Sequence, residues 1–75
     1  MRKLVVNSAL MANEIIDVLD GYKENEVEIK FLEKKGVKLF FEINGIEENN
    51  AINLVKKIIK SNDWSKSLYF YVALE

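Results

Sequence analysis

Two stretches of strict alternation, separated by one glycine turn, constrain this chain more than any other feature. From 26 to 33, Val27, Ile29 and Phe31 alternate with Glu26, Glu28 and Lys30. From 37 to 43, Val37, Leu39, Phe41 and Ile43 alternate with Lys38, Phe40 and Glu42. Successive side chains on a strand point to opposite faces, so each stretch reads as a strand with one buried face. Lys34-Lys35-Gly36 supplies a turn between them, and the two read as an antiparallel hairpin.

The flanks change period. Within 9–22, Met11, Ile15, Val18, Leu19 and Tyr22 recur at the spacing of one helix face, with Asn7 or Ser8 placed to cap the start and Gly21 the end. Asn44-Gly45 breaks the second hairpin strand, and a helix is predicted over 47–61. Ala51, Leu54, Val55 and Ile58 line its apolar face, Glu47 and Glu48 open it, and Lys56, Lys57 and Lys60 close it. That charge order complements the helix dipole. Residues 2–7 read as a short first strand, with Leu4 and Val6 opposite Lys3 and Val5. Residues 68–74 read as the last, with Leu68, Phe70 and Val72 opposite Tyr69, Tyr71 and Ala73.

The order β-α-β-β-α-β predicts an α+β fold: a βαββαβ two-layer sandwich with a four-stranded antiparallel sheet, two helices on one face and the other face open. Residues 1–75 are expected to form a single domain. The ferredoxin-like strand order 4-1-3-2 is the usual solution. It leaves the last strand at an edge, although 68–74 carries no charge and no proline to blunt pairing with another chain. The second strand, with Glu26, Glu28, Lys30 and Glu33, is charged as edges usually are.

The alternative is the 1-4-2-3 order of HPr-like phosphocarrier domains, which puts the last strand in the middle. Ala9-Leu10-Met11-Ala12-Asn13-Glu14 is similar to that family's Gly-Leu-His-Ala-Arg-Pro at Leu10 and Ala12. Met11 stands where the phosphoryl-accepting histidine would be, so the resemblance implies shape and no phosphocarrier site.

The expected core is Leu4, Val6, Met11, Ile15, Val18, Leu19, Val27, Ile29, Phe31, Leu39, Phe41, Ile43, Leu54, Val55, Ile58, Trp64, Phe70 and Val72. A one-residue slip flips every side chain of a strand to the other face, and in the last strand it would swap Tyr69 and Tyr71 into the core.

Chemistry is constrained by what is missing. With no His and no Cys, the chain lacks the common general base, the soft metal ligands and the usual nucleophile pairs. Asp17 with Asp20 and Glu47 with Glu48 are the local acid pairs, and both fit solvated helix surface. Gly21, Gly36 and Gly45 are too far apart to make a phosphate-binding loop. The expectation is a non-enzyme with no cofactor and no metal.

A net charge of −1 with both signs interspersed offers no field for nucleic acid or an anionic membrane. The apolar stretch after Arg2-Lys3 is too short for a signal-peptide core, and the lack of cysteine suits a reducing compartment. A cytoplasmic protein is expected, and the Lys-, Ile-, Asn- and Glu-rich composition points to a bacterial one. Leu74-Glu75 also matches a common cloning remnant.

One feature rises above this background. On the open sheet face, Val5, Phe40, Tyr69 and Tyr71 would share one surface. A bare aromatic patch marks a contact surface. The expected role is a small non-catalytic protein-interaction module, with itself as the simplest partner, through this face or the last strand. The alternatives are a weak single-stranded RNA binder stacking bases on the aromatics, and a small regulatory domain sensing a ligand between sheet and helices.

Overall fold

The computed structural model describes residues 2–66 and 68–74. Strand β1 is Arg2–Asn7, helix α1 is Ala12–Leu19, and a two-residue strand β2 is Lys23–Glu24. The hairpin strands are β3, Val27–Lys35, and β4, Lys38–Asn44. Helix α2, Glu48–Lys60, a 3-10 turn at Asp63–Ser65 and strand β5, Tyr71–Leu74, complete the chain. The α+β class holds. The sheet has five strands where four were expected, all neighbours antiparallel, in the order β2-β3-β4-β1-β5.

The fifth strand arises from a turn that the alternation does not reveal. Asn25 and Glu26 both take left-handed backbone, at φ 53 and φ 69, which folds Lys23–Glu24 back onto β3. Two central residues with positive φ make the tight turn whose twist matches paired strands. Glu26 therefore belongs to this turn rather than to the strand. The β3–β4 hairpin turns at Gly36, φ 59, with Lys35 opposite Lys38, so Val37 lies on the turn and is exposed.

Helix α1 is shorter than 9–22 at both ends. Met11 sits at φ 62 before the first helical residue, so no helix can continue through it. Ser8 does not cap the helix; its Oγ donates to the Leu10 carbonyl within the preceding turn. Met11 is consequently 40% exposed and no part of the core. At the other end Asp20 is already extended. Helix α2 matches its expected span to within a residue at each end. The last strand starts at Tyr71, three residues late.

Both helices cover the same face of the sheet. Ile15 and Leu19 of α1 and Ala51, Val55 and Ile59 of α2 close over Leu4, Val6, Ile29, Leu39, Phe41, Ile43 and Val72 in one apolar cluster. Phe31 meets Phe41 edge-on, with ring centroids 5.5 Å apart. Val18, Leu54, Ile58, Trp64, Leu68 and Phe70 pack around its rim, half-buried. Ala51, which the sequence placed on the apolar face of this helix, and Ile59 are buried here although neither was in the expected core. Among the described residues no helix is long and apolar enough to cross a membrane.

Candidate interaction surface at the last strand

The cross-strand register places three of the four expected surface residues. Val5 lies directly opposite Phe40 on one side and Ala73 on the other, and Asn7 lies between Lys38 and Tyr71. Leu4, Val6 and Val72 are buried beneath the helices. Val5, Phe40, Tyr71 and Ala73 therefore share the opposite, helix-free face, because alternate residues on a strand point apart.

These residues are not equally bare. Val5 and Phe40 are each only 8% exposed, whereas Tyr71 is 64% and Tyr69 95% exposed. The Lys3 ammonium lies 4.9 Å from the Phe40 ring centroid. A lysine stem laid over an aromatic covers apolar surface while its charge stays wet, and the cation is drawn to the ring face. Tyr69 precedes β5 and stands outside the sheet. The structure thus brings Val5, Phe40 and Tyr71 together and leaves Tyr69 apart. The bare surface is smaller than four residues imply, and it lies at the β5 edge. Away from β5, Arg2 and Lys3 of β1, Glu42 of β4 and Leu32 of β3 line a shallow open dent of about 270 Å³.

The two edges of the sheet differ. At the β3 edge, the Gly21 N–H donates to the Ile29 carbonyl at 2.9 Å and the Ile29 N–H to the Tyr22 carbonyl at 3.0 Å. The Phe31 N–H donates to Asp20 Oδ1 at 2.9 Å. Strand β2 covers Val27 and Glu28, and Lys23 lies 3.4 Å from the Glu28 carboxylate. Beyond Phe31 the register slips at a bulge between Phe31 and Glu33, and Glu33-Lys34-Lys35 follows. Bulges and charges are the usual protections of an edge.

Strand β5 has none of these. It pairs with β1 alone, and among the described residues no strand lies on its outer side. Tyr71-Val72-Ala73-Leu74 offers neither charge nor proline.

The acid pairs found in the sequence do other work. Asp20 leaves α1 to accept the Phe31 amide, and Glu48 pairs with Arg2. Among the described residues no three His, Cys, Asp or Glu side chains gather as metal ligands. The Tyr22 hydroxyl donates to Glu24 Oε2 at 3.2 Å. Its pKa is raised above 10.0, first by lost solvation and then by the hydrogen bond to Glu24 and the repulsion of that carboxylate. Compared with family models, curated proteins and solved structures, the chain finds no match.

Proposed function

We propose that this chain is a small non-catalytic interaction module that binds extended polypeptide along the outer edge of β5. The observation that carries this reading is the contrast between edges: β3 is covered by Asp20, Gly21, Tyr22 and β2, while Tyr71–Leu74 is uncharged and, among the described residues, has no strand on its outer side. An exposed apolar edge recruits a further strand, whose main-chain hydrogen bonds give affinity and whose alternate side chains give selectivity. Tyr71, 64% exposed beside that edge, supplies the amphipathic contact residue common at interfaces. Without the two-residue β2, the order β3-β4-β1-β5 is that of a ferredoxin-like split βαβ sandwich, and we read the architecture so.

RNA stacking has less support, because Phe40 lies beneath Lys3 and the remaining open-face aromatic is Tyr71.

The test is amide exchange at Val72 and Leu74, measured with and without a synthetic peptide of residues 68–74. Slow exchange in the protein alone, or slowing on addition of the peptide, supports the module. Rapid exchange of both amides under both conditions overturns it.

A further inference from the structure

We infer that the strand seated on β5 is β5 of a second copy, paired antiparallel about a two-fold axis through Ala73. This rests on the interaction-module reading and names its partner.

The hydrogen-bond parity of the sheet fixes which groups are on offer. The Ser8 N–H donates to the Val37 carbonyl, so the even residues of β1 bond toward β4. Antiparallel ladders alternate, so Val5 and Asn7 bond toward β5, where they face Ala73 and Tyr71. The N–H and C=O groups of Val72 and Leu74 therefore point outward. A second copy satisfies all four in one register, Val72 opposite Leu74 of its partner and Leu74 opposite Val72. A two-fold through Val72 instead would leave Leu74 facing Phe70, which lies outside the strand.

The chosen register puts Ala73 against its own copy in a non-hydrogen-bonded pair, where Cα atoms approach to about 4.5 Å. A small side chain suits that closeness. A two-fold axis also sets like beside like, which penalises any charge near it. The row crossing the open face to the axis is Phe40, Val5 and Ala73, uncharged throughout, and the symmetry would continue it into the partner. On the helix side, Val72 would meet the half-buried Leu74.

The absence of native cysteine gives a clean test. Ala73→Cys should oxidise to a disulfide-linked dimer at least roughly tenfold faster than Asn53→Cys on exposed α2, because pairing raises the local thiol concentration. Light scattering should show the wild-type mass doubling with concentration. Ala73→Lys, with its side chain on the open face, and Leu74→Pro, which removes an outward donor, should each abolish that doubling; circular dichroism checks that both stay folded.

Equal oxidation rates for the two cysteine variants overturn the register, as does faster crosslinking of mixed Tyr71→Cys and Ala73→Cys. A wild type that stays monomeric overturns self-pairing. If its Val72 and Leu74 amides are still protected by the peptide, the module reading stands without it; if they are not, both fall.

Discussion

Glu26 combines a left-handed backbone with a close approach to Gly45. It holds φ 69, a backbone conformation that costs a residue with a Cβ about 1 kcal/mol or more. Its carbonyl lies against the position that a Cβ on Gly45 would take, and Gly45 itself is at φ 84. The turn before β3 and the turn before α2 thus touch at a point that only glycine permits at position 45. Two opposite outcomes follow. Glu26→Gly should raise stability by about 1 kcal/mol, since Asn-Gly is the preferred pair for such a turn. Gly45→Ala should lower it by about 2–4 kcal/mol, because backbone must shift as well as adopt a strained φ. Urea denaturation of both variants checks the pair; equal and small changes would contradict the contact.

At the scale of elements, Asp20 links the end of α1 to the edge of β3. Asp20→Ala should cost about 1–2 kcal/mol, the worth of a hydrogen bond from a backbone amide to a charged acceptor. The Phe31 amide should exchange faster in that variant. Unchanged exchange at Phe31 would mean that the carboxylate does not hold it.

The same residue shows why element ends were hard to read. Periodicity carried α1 on to Tyr22, yet Asp20 is drawn out of the helix by an amide eleven residues away. Met11 fits the helical spacing but is held at φ 62, which spacing cannot report. Strand β2 is too short for a period, and Asn25-Glu26 lacks the glycine that marks most such turns. Where a long alternating or amphipathic run had a face to bury, as in β3, β4 and α2, the pattern and the fold agree. At the surface, Val5, Phe40 and Tyr71 were placed on one face by alternation alone. The burial of Phe40 was not legible, because it depends on what lies beside it across the sheet, Val5 and Glu33, and on the Lys3 ammonium over its ring.

For the whole molecule, smallness sets the terms. Seventy-five residues imply a stability of only about 4–11 kcal/mol, and a single apolar cluster joins both helices to the sheet. Leu19, fully buried at the end of α1, should cost about 3 kcal/mol when cut to alanine. In a domain of this size that lowers the midpoint of thermal unfolding by roughly 12–24 °C. A fall of only a few degrees would show that α1 contributes little to the cluster.

The unequal sheet edges also set a valence. A sheet open on both sides can add neighbours without limit and grow into fibres. Here Asp20, β2 and the bulge near Glu33 close one side, which leaves β5 as the uncovered edge among the described residues. Units with one open edge stop at pairs, so under the proposed pairing an uncharged strand that would otherwise be an aggregation hazard would become a terminating joint.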